Sequence, residues 1–370
     1  MATVGSVSSQ PFQASWNEQN ASLQEAPARS LTLIQRVCKL AYFIFSIVCF
    51  PLGLVRLSGW IVSKIARHLF LPSGWFYRQI LSLQMRREMQ RNFQAFCGSI
   101  SGTHTHTHFD VTTPDSSRVK ATIFRHRFAT DNTPTVLFCP SNASVREQLV
   151  FSPLVHKWIE KGIACNFVIF DYRGSGLGTD DAERPKRAED LVIDADAVLQ
   201  LIRDQLRTPD HQIHRYGWSL GGGVSANLGR IHPELTGSYV NERSFSSTSD
   251  VVRIWCKQRP LIKCFANYYS NCFKRAGWDL VSPPTVLNDR SIVVYHPGDA
   301  LIPPSAGLAR KVQNTERVRV LVSSAELAAC GDKIDHHTEL LENYEIDGEN
   351  ALEYIAHFML QPPTEEISVI

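Results

Sequence analysis

Arg215-Tyr216-Gly217-Trp218-Ser219-Leu220-Gly221-Gly222-Gly223 carries the pattern Gly-x-Ser-x-Gly, with Ser219 at its centre. Gln212 to Tyr216, just before it, is strand-like, with Ile213 and Tyr216 supplying β propensity. Gly222 to Ile231, just after it, reads as a helix with Val224, Ala226 and Leu228 inside. Strand, tight turn and helix form the setting in which this pattern is a nucleophile elbow. Such a bend pushes the serine hydroxyl out above the sheet. It also aims the Leu220 N–H, at the helix N-terminus, toward a developing oxyanion.

The elbow sits inside a repeated alternation of strands and helices. Val136 to Phe138 reads as a buried strand and Arg146 to Lys161 as a helix. Asn166 to Phe170 follows as a strand, and Ala188 to Arg207 has helical periodicity. Beyond the elbow come strands at Gly237–Val240, Ser291–Tyr295 and Val318–Val322, then a closing helix from Gly348 to Met359. This order predicts an α/β fold with a mostly parallel sheet and helices on both faces. Upstream, His108–Thr113 and Val119–His126 read as an antiparallel hairpin turning at Pro114 to Ser117. Residues 247–288 interrupt the alternation with Trp255, Phe265, Tyr268, Tyr269, Phe273 and Trp278. They are expected to form a helical cap insertion over the strand ends, or else a surface excursion whose aromatics pack on the domain.

The chain has 370 residues, enough for one large α/β domain with an appendage, and its 44% hydrophobic content is that of a globular protein. A formal charge of +2 gives no reason to expect a nucleic acid partner. Met1 to Ala28 lacks Lys and Arg and is rich in Ser, Gln, Asn and Ala, so a disordered N-terminus is expected rather than an ordinary secretory signal. Residues 29–95 read as a basic, apolar helical segment: ten Lys/Arg against Glu88 alone from Arg29 to Arg91. Within it Leu40 to Val55 is uncharged for sixteen residues, short of the roughly 20 that a full span needs. A transmembrane helix, a re-entrant hairpin and an interfacial helix are each compatible with it. The expectation is membrane association through residues 37–71, the alternative being a helical layer packed on the following domain.

Nine cysteines are scattered without a Cys-x-x-Cys pair, so reduced thiols in a cytosol-like compartment are expected. His104, His106 and His108 recur at period two and would share one strand face. No acidic or Cys ligand is interleaved with them, so no metal is assigned.

Four stretches together resemble the α/β-hydrolase superfamily over roughly Thr103 to Gln361. They are Pro140-Ser141-Asn142-Ala143, Asp171-Tyr172-Arg173-Gly174-Ser175-Gly176, the elbow itself, and Ile292–Tyr295 continuing through His296-Pro297-Gly298-Asp299. The whole chain, with its apolar basic N-terminus, also resembles the chlamydial membrane-associated forty-three-kilodalton protein family, which implies an intracellular bacterial source.

The superfamily resemblance implies a catalytic triad in the chain order serine, acid, histidine. Ser219 is the nucleophile and Asp299 the acid, with Glu242 as the alternative acid. The base must follow the last strand, where only His336 and His337 lie. Taking Thr338 as the cap of the next helix and counting back two favours His336. The frame His337-Thr338-Glu339 keeps His337 open. Leu220 would give one oxyanion-hole N–H and Asn142 or Ala143 the other, because Pro140 has none. Asp171 and Arg173 are read as holding the loop beneath the site.

The implied function is a membrane-associated serine hydrolase. It would cleave an ester or thioester of an acyl-containing small molecule, a lipid or an acylated protein, through an acyl-enzyme and without a cofactor. An acyltransferase shares the same residues. An inactive hydrolase-fold scaffold at a membrane is the alternative of another class.

Overall fold

The computed structural model describes residues 57–61, 82–142, 144–149, 153–177, 184–287, 290–312, 318–322, 337, 341, 344–346 and 348–360. Its centre is an eight-stranded mixed sheet. In chain order the strands are β1 (His104–Thr112), β2 (Arg118–His126), β3 (Thr135–Cys139), β4 (Asn166–Phe170), β5 (Ile213–Trp218), β6 (Tyr239–Glu242), β7 (Ser291–Tyr295) and β8 (Val318–Val322). Their spatial order is β1-β2-β4-β3-β5-β6-β7-β8. β1 and β2 pair antiparallel, β2 runs antiparallel to β4, and every later neighbour is parallel.

Short apolar runs make these strands, and their period of two fills both faces. Val136 and Phe138 of β3 enter one core, while Leu137 and Cys139 enter the other. One layer packs Trp158, Phe167, Tyr216, Ile292 and Ile355 together. Its helices are α1 (Leu83–Ser99), α3 (Pro153–Glu160) and α8 (Ala351–Leu360). The opposite layer is carried by α4 (Glu189–Leu206) and α5 (Leu220–Ile231), through Val198, Leu199, Leu220 and Val224. Between β3 and α3 lies α2 (Arg146–Leu149); residues 150–152 of the helix expected over Arg146 to Lys161 lie outside the described residues. Pro153 opens α3, a first-turn position where its missing N–H costs nothing.

Register places the site. Cys139 pairs with Gly217, Trp218 with Glu242, and Glu242 with Val294. The carboxyl ends of β3, β5, β6 and β7 therefore lie in one row, and the loops that follow them leave the sheet along the same edge. Open α/β sheets bind ligands along that edge.

Residues 247–288 contain α6 (Thr248–Lys257) and α7 (Ala266–Arg275). Val251 and Phe273 share a core with Phe245 and Leu280. The short stretch 57–61 lies on α7: Ser58 Oγ is 2.8 Å from the Tyr269 hydroxyl, and a side chain at Gly59 would meet the Tyr268 ring at 2.6 Å.

The membrane expectation is corrected. Among the described residues no helix is long and apolar enough to cross a membrane. Leu40 to Val55 lies outside the described residues, as does Met1 to Ala28. A transmembrane helix, an anchor through residues 37–71 and a membrane-associated placement of the protein are accordingly not carried forward, nor is a function that requires them.

Candidate functional site

Ser219 sits between β5 and α5 with φ 53° and ψ −116°, a left-handed conformation that costs a non-glycine residue about 1–3 kcal/mol. Two backbone bonds hold the bend. Ser219 N–H donates to Glu242 O at 2.8 Å, and Gly222 N–H donates to Ser219 O at 3.0 Å. The flanking glycines are required by close approach. A Cβ on Gly217 would meet Gly221 O at 2.4 Å, and one on Gly221 would meet Cys139 O at 1.9 Å. The start of α5 therefore lies flush against the end of β3. That contact brings Cys139 and Pro140 beside the start of α5.

Asp299 follows β7 and is 4% exposed. Its Oδ1 accepts from the N–H groups of Leu301 at 2.9 Å and Ile302 at 2.7 Å. Its Oδ2 lies 2.8 Å from Nδ1 of His337. The other ring nitrogen of His337, Nε2, lies 2.9 Å from Ser219 Oγ. All three residues are buried. With Nδ1–H donating to the carboxylate, Nε2 is the acceptor for the serine proton. That is the tautomer a general base needs.

The sequence favoured His336 as the base between Ser219 and Asp299, with His337 left open. The imidazole between serine and carboxylate belongs to His337, and His336 lies outside the described residues. Counting from a presumed cap cannot choose between adjacent histidines, because the choice depends on how the loop folds back in space. Glu242, the alternative acid, makes no bond to the imidazole among the described contacts. Its Oε2 accepts from the Tyr216 hydroxyl at 2.5 Å, and its Oε1 is 3.3 Å from Arg243 Nη1. Burial holds the Glu242 carboxyl above the usual carboxylate range, against the pull of Arg243, the Tyr216 hydroxyl and His337. Asn142 lies in the turn after β3 and is exposed; Ala143 lies outside the described residues.

Sequence reasoning gave Arg243 no role. It follows β6 with φ 46° and is 3% exposed. Its Nη1 donates to the carbonyl oxygen of His337 at 3.3 Å, and its guanidinium lies 5.7 Å from the centre of the Tyr344 ring. Only its place just past a strand end hinted at this.

The other singled-out residues stand apart from the site. Arg173 donates to Asp194 and to Asp115, tying the β1–β2 turn to α4. Asp171 Oδ1 accepts from the Arg146 N–H at 2.5 Å. His104 is buried against Cys165 O, and His108 binds Thr122. Burial, then Arg146 and His106, push His108 down to about 4. No metal-holding group of three or more ligands occurs among the described residues. Among the described cysteines, 97, 139, 165, 256 and 264 are free thiols.

Compared with known proteins, the chain shows distant similarities. It is 25% identical over 179 residues to the α/β hydrolase domain-containing protein WAV2 of Arabidopsis thaliana, covering 46% of this chain. The chain spans about half, 54%, of that relative's length. An esterase of Pyrococcus furiosus overlays with a TM-score of 0.44 and 15% identity, over 61% of this chain and 83% of that one. Oligopeptidase B of Leishmania major overlays at 0.46 and 14%, over 70% and 37%. Overlays this loose add nothing to the topology described above. The family match is far more extensive: over residues 7–320 the sequence fits one family throughout, and the chain belongs to the family described as Chlamydia CHLPS protein (DUF818).

Proposed function

We propose that the protein is a serine hydrolase of the α/β-hydrolase superfamily that cleaves an ester or thioester. Ser219 is the nucleophile, His337 the general base, and Asp299 the carboxylate that orients it. The observation that carries this reading is the unbroken row of hydrogen bonds from Asp299 through His337 to a serine hydroxyl on a strained elbow.

In the first half-reaction Ser219 Oγ bonds to the substrate carbonyl carbon while its proton passes to His337 Nε2. The oxyanion accepts hydrogen bonds from the Leu220 N–H and from the N–H of Asn142. His337 then gives its proton to the departing alcohol or thiol, leaving an ester on Ser219. In the second half water attacks that ester, its proton passes to His337, and the proton returns to Ser219 as the acid leaves. A domain from residue 100 onward with a cap at about 247–288 belongs to the same proposal. Its support is the packing of α6 and α7 around the core that holds Phe245, in the loop after β6.

The test is pre-steady-state hydrolysis of p-nitrophenyl acetate and butyrate by the full chain. A burst of p-nitrophenol close to one equivalent of enzyme, absent in Ser219→Ala, is expected. Wild-type protein that is folded yet shows no burst and no turnover on either ester would overturn the proposal.

A further inference from the structure

Beside the row of Ser219, His337 and Asp299 lies a second buried row that the hydrolytic steps do not use. The Tyr216 hydroxyl donates to Glu242, Glu242 pairs with Arg243, and Arg243 donates to the carbonyl oxygen of His337. The side chains of Arg243 and Glu242 are 2% and 9% exposed, so both charges are withdrawn from water. One face of the guanidinium lies near the Tyr344 ring. The strand anchors are fixed as well, because Arg243 N–H donates to Val294 O at 2.8 Å. This row ends on the backbone of the one residue whose side chain must reach both Ser219 and Asp299.

We infer that Arg243 is a positioning residue for His337, holding its backbone carbonyl from the end of β6 while Glu242 cancels the guanidinium charge beside the imidazole. The inference rests on the serine hydrolase reading above. Its logic is electrostatic as well as geometric. An unpaired cation at this place would oppose the imidazolium that forms in each half-reaction, and a lone carboxylate there would be costly to bury. The pair gives a rigid grip on the carbonyl with little net field at the ring. Among the described residues, the charged and titratable groups near His337 are Asp299 from the β7 loop, Glu242 and Arg243 from the β6 end, Tyr216 from β5, Tyr344, and His296, whose ring lies 6.2 Å from Tyr344.

The two roles separate in the pH profile of inactivation by a fluorophosphonate, which reads the basic form of His337 without a chosen substrate. Glu242→Gln removes a buried carboxylate from beside the guanidinium and leaves Arg243 charged. The imidazolium is then disfavoured, and the acid limb moves to lower pH by about 0.5–1 unit. Arg243→Met removes both the grip and the cation. The plateau falls about tenfold or more from lost orientation, and the limb stays near its wild-type position because the Glu242 carboxyl, buried without the cation, takes up a proton. Arg243→Lys keeps the charge but loses the fork, so its plateau falls while its limb stays put. In the double variant Glu242→Gln/Arg243→Met the limb shift of Glu242→Gln disappears. The double variant also removes both charges of the pair, so it keeps the test open if a single variant fails to fold.

A limb unmoved in folded Glu242→Gln, or an Arg243→Met plateau within twofold of wild type, overturns the inference while the serine reading stands. Wild-type protein that the probe does not modify overturns the serine reading itself.

Discussion

Asp299→Asn keeps the volume of the side chain and changes one acceptor into a donor, so its effect follows from three distances. Oδ1 accepts two backbone N–H groups at 2.9 and 2.7 Å, and Oδ2 accepts from His337 Nδ1 at 2.8 Å. Asparagine has one oxygen for these two places. Turning its NH2 toward Leu301 and Ile302 would forfeit both backbone bonds, a loss of about 2 kcal/mol. The favoured arrangement keeps the oxygen there and points NH2 at Nδ1. His337 must then carry its proton on Nε2, and Nε2–H faces Ser219 Oγ as a donor. The base is held in place in the wrong tautomer. The expected fall in kcat/KM is about 10³–10⁴-fold, or about 4–5.5 kcal/mol, with stability changed by no more than about 1 kcal/mol. The assay is the second-order rate of fluorophosphonate inactivation, with thermal unfolding by circular dichroism as the control. Folded Asp299→Asn that reacts within tenfold of wild type would refute the reasoning. A larger loss in Glu242→Gln than in Asp299→Asn would hand the acid's role to Glu242.

His337→Gln is expected to lower the inactivation rate at least about 10³-fold, because among the described residues the Ser219 hydroxyl is bonded to this imidazole and to no other base, while His336→Gln stays within about threefold. The same rate measurement on both variants checks this. Gly221→Ala drives a methyl group into the Cys139 carbonyl oxygen, which its Cβ would meet at 1.9 Å. A destabilisation of at least about 3 kcal/mol is expected by urea titration.

His232 provides a pH test of stability away from the site. Burial alone would lower its pKa, but hydrogen bonds and charge from Asp196 and a hydrogen bond from Glu234 raise it above 6.5. A raised folded-state value binds the proton more tightly than the unfolded chain does. Its contribution is therefore fully present below 6.5 and is lost as pH rises through the folded value. Urea midpoints of wild type should fall across that window, and those of His232→Gln should fall less; parallel curves would remove His232 from the account.

How much of this was legible in the sequence depended on how local the signal was. Asn166–Phe170 and Ser291–Tyr295 begin and end in the fold where their apolar runs do. The elbow is legible because Gly217 and Gly221 are demanded by backbone contact, and no larger residue satisfies that contact. The sequence marks the hairpin from His108, but β1 begins at His104, within the period-two histidines that already suggest a strand face. Alternating Thr and His give no apolar face, and the strand is held by pairing with β2 across His104 to Thr112. The identity of the imidazole was hidden. His336 and His337 are adjacent and chemically identical, and only a contact across more than a hundred residues separates them. Arg243 was hidden for a related reason. Its positive φ and its reach to the His337 carbonyl belong to the assembled strand ends, not to its neighbours in the chain.

The central claim is that Ser219 is a reactive nucleophile, and mapping a fluorophosphonate adduct on the folded full chain by peptide mass spectrometry tests it most directly. The account predicts one adduct, on the hydroxyl of Ser219, lost in Ser219→Ala and slowed in His337→Gln. An adduct on another residue, or none on folded protein, would contradict it.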